Sequence, residues 1–236
     1  MKGITLFLVA LGCLVATSSS AQLAPIKSVQ QAAAAPAAPN FALELVAIIR
    51  SIPRKQIQHL VQAYLLNDEE FQAVVRDINS MSGYRLQQQV LRQPELRQLF
   101  IWLNQQLILA GSSIKIFEDL ELEIKVFNKY PYWSQMVGGI NGFENDFNFI
   151  YPLEAIRSQI EQSAQRSPLV AELWRRVVAL KPLYERLLAT PQAKVLVNQL
   201  QSRGVNVSAV DSFIRYQFGW SNATLPSYDY TEYLNY

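Results

Sequence analysis

His59 is the only histidine in the 236-residue chain, and the acids Asp68, Glu69 and Glu70 begin nine residues after it. A histidine beside three carboxylates could bind a metal ion or pass protons. Either task needs several ligands or partners converging on one point. There is no second histidine, and the one cysteine, Cys13, lies in the N-terminal apolar run. Glu144, Asn145 and Asp146 could suggest calcium, but their spacing lacks the EF-hand loop pattern, so helix capping is the reading. The sequence holds no H-E-x-x-H, G-x-S-x-G or P-loop motif. Paired carboxylates far apart in the chain stay open, because glycosidase acids need no fixed spacing. The expectation is a protein without catalytic residues, metal or cofactor, with His59 on a helix surface and the acids at a helix start.

The elements that carry these residues are helices. Ile57, Leu60, Val61, Tyr64 and Leu65 fall on one helical face behind Pro53. Asn67 is read as the next N-cap, with Glu70 completing a capping box. Phe71, Val74, Val75 and Ile78 make the following stripe, Ser80 to Gly83 interrupts it, and a weaker segment runs from Tyr84 to Arg92. Pro94 opens a helix with the stripe Leu96, Leu99, Phe100 and Leu103, which Gly111 stops. Ile101 and Trp102 make it apolar on a second face, which predicts a central, well-buried element. Ser113 is a cap for a helix bearing Phe117, Leu120, Ile124 and Phe127. No strand alternation occurs, so the class is all-α.

The second half repeats the first. Pro152, Ile156 and Ile160 stand 99 positions after Pro53, Ile57 and Val61, and Val170, Leu173, Trp174 and Val177 follow at the same offset. Pro191, Leu196, Val197 and Leu200 then answer Pro94, Leu99, Phe100 and Leu103, Gly204 answers Gly111, and Val207, Val210 and Phe213 close the unit. Ser158 stands opposite His59, and Ser167, Pro168 and Leu169 stand opposite the acids, so the unit folds without them. Two such units facing each other about a pseudo-twofold axis would bury their apolar faces. The division is a signal peptide (1–21, cleaved between Ala21 and Gln22), an Ala/Pro-rich leader (22–40), repeat 1 (41–127), a connector (128–146), repeat 2 (147–220) and a Tyr-rich tail (221–236).

The signal makes the protein secreted, and no later run is long and apolar enough to span a bilayer. Without Lys2 the formal charge is +1, with no basic stripe, which excludes nucleic acid as partner. The sequons at Asn206 and Asn222 are glycosylation candidates. Tyr228, Tyr230, Tyr233 and Tyr236, near Asp229 and Glu232, raise tyrosine sulfation in a secreted chain.

The stretches SIPRKQIQHLVQAYLLNDEEFQAVV, RQPELRQLFIWL and ATPQAKVLVNQLQSRGVNV resemble the insect-allergen-related repeat family, which includes microvillar cockroach allergens and midgut microvillar proteins. They follow its proline-led helix, its Tyr-Leu-x-x-Asp-x-Glu-Phe junction, its Pro-Glu helix and its closing Gly-Val-x-Val. The resemblance covers roughly Phe41 to Trp220, and the second half departs further from the pattern. It implies a capsule of short helices around an apolar cavity, fatty acids or phospholipids as partners, and secretion to the midgut lumen or microvillar surface. On that reading the cavity wall draws on Leu60, Tyr64, Phe71, Leu99, Phe100, Leu103, Phe117, Phe127, Trp174, Leu196 and Phe213. Some relatives redirect breakdown of plant toxins, so a toxin-modifying factor is the alternative, beside a membrane-active or structural protein of the gut lining.

Overall fold

A computed structural model describes residues 40–111 and 138–221. The cleavage site at Ala21 and Gln22, the leader up to residue 39, the helix read from Ser113 with Phe117 and Phe127, Asn222 and the tyrosine tail lie outside the described residues. The regular structure described is helical throughout. Repeat 1 forms α1 (Phe41–Arg50), α2 (Arg54–Asn67), α3 (Glu69–Ile78), α4 (Met81–Leu91) and α5 (Pro94–Leu109). The second half forms α6 (Gly139–Ile150), α7 (Leu153–Arg166), α8 (Pro168–Val178), α9 (Lys181–Leu188), α10 (Pro191–Ser202) and α11 (Val207–Gln217). α2 and α7 are both 14 residues long and start 99 positions apart, the offset of the apolar stripes.

Prolines and glycines set the boundaries as expected. Pro94, Pro168 and Pro191 occupy the first turns of α5, α8 and α10, where a missing N–H costs nothing. Gly111 and Gly204 end α5 and α10 with φ of 72° and 87°, a conformation in which a Cβ would be strained. Other boundaries differ from the sequence reading. Asn67 is the last residue of α2, its amide donating to the Ala63 carbonyl, and Asp68 is the N-cap of α3. The interruption at Ser80 to Gly83 is the start of α4: the Ser80 hydroxyl accepts from the Gly83 N–H. Part of the connector is helical, because α6 begins at Gly139, and Asn40 caps α1 by accepting from the N–H groups of Ala42 and Leu43.

The halves exchange their first helices. α6 packs on α2 and α3 of repeat 1, and α1 packs on α7 and α8 of the second half. One apolar cluster therefore mixes Ile57, Val61, Tyr64, Phe71 and Val74 with Phe143, Phe147, Tyr151, Leu196 and Phe213. A second joins Phe41, Leu45 and Ile48 to Leu103, Leu107 and Val170. Contacts of this kind are worth about 1.5–3 kcal/mol per fully buried large side chain, so neither half completes its core alone.

α5 departs from its expected burial. Leu99, Leu103 and Leu107 form one buried stripe, while Ile101 and Ile108 on other faces are 55% and 60% exposed. Trp102 is half-buried, with its ring edge-on to Phe41 at 6.1 Å and the Arg176 guanidinium 4.7 Å from its centroid. α5 packs on α1, α4 and α8, and Leu99, Leu103 and Leu107 are the residues it buries.

Gly83 gives a test of backbone packing. A Cβ there would stand 1.9 Å from the Ile78 carbonyl oxygen, whereas one at Gly111 would meet nothing within 4 Å. We expect Gly83→Ala to destabilise by about 3 kcal/mol through overpacking. Gly111→Ala should cost about 1 kcal/mol through its positive φ alone. Urea denaturation of the two variants measures the difference.

Candidate functional site

Two of the three acids, Asp68 and Glu70, act between the halves. Asp68 is buried, with one carboxylate oxygen accepting from the Phe71 N–H at 2.8 Å and the other from the Gly139 N–H at 2.9 Å. It therefore caps its own helix and, 71 residues away, the first turn of α6. Glu70 accepts from the Ile140 N–H at 3.4 Å. Both put negative charge at helix N-termini, where free N–H groups and the helix dipole favour it. Gly139 has φ 68°, and a Cβ on it would lie 2.4 Å from the Glu70 carboxylate. Glu69 is exposed and so is His59, which stands outside this joint.

Tyr64 locks the same joint. Its hydroxyl donates to Asp146 at 2.7 Å, and burial followed by that hydrogen bond pushes the phenol well above its ordinary range. Gly142 makes room, since a Cβ there would lie 2.9 Å from the Tyr64 oxygen. Glu144 lies in the body of α6 and accepts from the Asn206 N–H at 3.3 Å, at the start of α11. Glu144 and Asp146 therefore reach across to other elements instead of capping α6. At Asn206 the side-chain oxygen accepts from the Ala209 N–H, and the residue is exposed.

Tyr64, Phe71, Leu196 and Phe213, read as cavity wall, share one cluster with Leu60 packed at its edge. The rings fill it: Phe71 lies 4.4 Å from Phe143 by centroid, Tyr64 5.3 Å from Phe143, and Phe213 5.4 Å from Tyr151. Leu103 belongs to the second cluster, Leu99 is buried, and Phe100 and Trp174 are half-buried. The Trp174 ring packs where a Cβ on Gly219 would stand, 2.9 Å away. The described members thus fall in two clusters, with Leu99, Phe100 and Trp174 in neither.

A cleft of ≈ 730 Å³ opens where α1 turns into α2, within the roughly 300–1,000 Å³ range of small-molecule sites. Val46, Ile49, Ile52 and Pro53 give it an apolar floor, and Arg50, Arg54 and Lys55 give it cations. The first turn of α2 carries no acid, and Pro53 at its N-cap offers no side-chain hydrogen bond. Two cations therefore stand at a helix end that is itself positive, an arrangement that favours a bound anion. In the second half the equivalent positions hold Phe149, Leu153 and Glu154, so an acid stands where Lys55 does and the feature belongs to repeat 1. Periodicity could not find this cleft, but the run Arg54–Lys55 at an uncapped helix start was a readable signal. Among the described residues no group of three His, Cys, Asp or Glu is placed to hold a metal ion, and no helix is long and apolar enough to cross a membrane.

Removing the joint should unfold the exchange. Asp68→Ala deletes a cap and a second buried charge-assisted bond, and should cost about 3 kcal/mol in urea denaturation. Tyr64→Phe should cost about 1 kcal/mol, since water can reach the exposed Asp146. Burial raises the Glu144 pKa above the ordinary carboxylate value, with the Asn206 N–H opposing it. A raised carboxylate pKa favours the fold while protonated, and that contribution is lost as pH rises through the folded value. Glu144→Gln should therefore stabilise the protein relative to wild type at pH 7 and lose that advantage below the unfolded carboxylate pKa. Thermal melts across pH 3–8 measure the crossover.

A search of curated proteins returned no match. The family described as "Insect allergen related repeat, nitrile-specifier detoxification" matches residues 40–211, which take in both halves of the exchanged pair. The chain belongs to the insect allergen related repeat family.

Proposed function

We propose that this is a secreted carrier of anionic amphiphiles, fatty acids or phospholipids, acting without catalysis in the insect midgut lumen or at its microvillar surface. The observation that carries the reading is the α1–α2 cleft, where an apolar floor meets Arg54 and Lys55 in an uncapped first helical turn and Arg50 at the end of the preceding helix. An acyl chain would cover Val46, Ile49 and Ile52, and a carboxylate or phosphate would sit by Arg50, Arg54 and Lys55. Hydrophobic burial supplies the affinity and the cations orient the headgroup. Family membership supports the insect setting. The filled aromatic cluster supports placing the ligand at this cleft and not among Tyr64, Phe71 and Phe213. The words on detoxification in the family description favour a second reading, a factor that modifies the breakdown of diet toxins.

The delipidated protein, titrated with a fluorescent fatty acid, should bind it saturably. Arg50→Gln and Lys55→Gln should each weaken binding by up to about fivefold, the span of an exposed charge pair. Ile49→Glu should weaken it more, with an unchanged circular dichroism spectrum. No uptake, together with no lipid in organic extracts of protein from its native source, would overturn the proposal.

A further inference from the structure

A second cleft, of ≈ 480 Å³, lies on the outer face of α4 and shares no lining residue with the first. Its chemistry is different. Arg85, Gln88, Gln89 and Arg92 follow at i, i+3, i+4 and i+7, which places them on one helical face. Tyr84 flanks them with 55% of its surface exposed, and Gln192 enters from the first turn of α10, which packs closely on α4. Arg85 and Arg92 form no salt bridge among the described residues, although other arginines do: Arg186 with Glu95, Arg203 with Asp77 and Arg215 with Asp211. The floor is held in place, because the Gln93 amide donates to the Gln89 carbonyl and its oxygen accepts from Arg186.

We infer that this face binds an acidic oligosaccharide, one bearing carboxylate or sulfate groups. A primary amide donates and accepts at once, which matches a sugar hydroxyl that does the same. Gln88, Gln89 and Gln192 supply that chemistry side by side. An exposed tyrosine ring gives an amphipathic platform for the apolar face of a pyranose. The two guanidiniums take acid groups as charge-assisted, bidentate partners. They stand two helical turns apart, about 10 Å, which is wider than one sugar ring and so calls for an oligomer. Nucleic acid fits less well, since its affinity comes from neutralising many phosphates and this face has two cations on a chain of formal charge +2. An acidic peptide would use the arginines but would leave the amide row and the ring without hydroxyls to match.

The test is calorimetric titration of the full mature chain with four probes: a sulfated tetrasaccharide, a uronate tetrasaccharide, a neutral tetrasaccharide and a Glu-rich tetrapeptide. Inorganic sulfate is used as competitor. At least one acidic tetrasaccharide should bind at least tenfold tighter than the neutral one and the peptide, and which of the two it is identifies the acid group. The Arg85→Gln/Arg92→Gln pair should weaken it tenfold or more. Gln88→Ala should weaken it several-fold without changing thermal stability. Equimolar inorganic sulfate should not displace it. Absence of binding by both acidic sugars, binding untouched by the arginine pair, peptide binding as tight as sugar, or displacement by equimolar sulfate would each overturn the inference. The fatty-acid titration reads the other cleft, so failure of one leaves the other standing.

Discussion

The fold depends on how α6 is seated. Its first N–H groups have no partner within the helix, and Asp68 and Glu70 supply those partners from repeat 1. The same aspartate caps α3, so one buried carboxylate fixes two helix starts at once. Gly139 and Gly142 permit the close approach: the Glu70 carboxylate fills the space at the first and the Tyr64 hydroxyl the space at the second. Once α6 is held there, Phe143 and Phe147 fall among Tyr64, Phe71 and Phe213, and the main apolar cluster closes across both halves.

The two halves solve this problem differently. The residues opposite Tyr64, Asp68 and Glu70 are Ser163, Ser167 and Leu169. Ser167 is buried and stands at the N-cap of α8 without a side-chain cap bond, and α1 is capped by its own Asn40. α1 still packs on α7 and α8, so apolar contact maintains the exchange where polar capping is absent. The far end of the second half has other ties. Tyr216 donates to Glu154, Arg157 donates to the Tyr216 and Ser221 carbonyls, and Tyr184 donates to Asp211. These polar links fasten α11 to α7 and α9.

The aromatic cluster is filled by its own rings, and the α1–α2 cleft is open and lined by cations. Rings in edge contact leave little freedom to admit a ligand without losing packing, because interiors are close-packed and respond to small volume changes. The α1–α2 cleft lies at the edge of that cluster, against Ile52, and two of its cations, Arg54 and Lys55, stand where a helix N-terminus disfavours them.

The sequence by itself determined the helices. Proline starts, glycine stops, one-sided apolar stripes and the 99-position offset are local features, and each reports on a few neighbouring residues. It placed His59 on a surface and the acids at a helix start. It misassigned the Asn67 cap by one residue, began α4 only at Tyr84, and took the start of α6 for a connector, because glycine's conformational freedom looks the same in a loop as at a crowded helix start. It could not say that Asp68 serves a helix 71 residues away, that α5 leaves Ile101 and Ile108 exposed, or that the α1–α2 turn opens into a cleft. Those depend on which helix lies against which, and only the tertiary packing decides that. The apolar stripes state that a face must be covered, and many partners would cover it equally well.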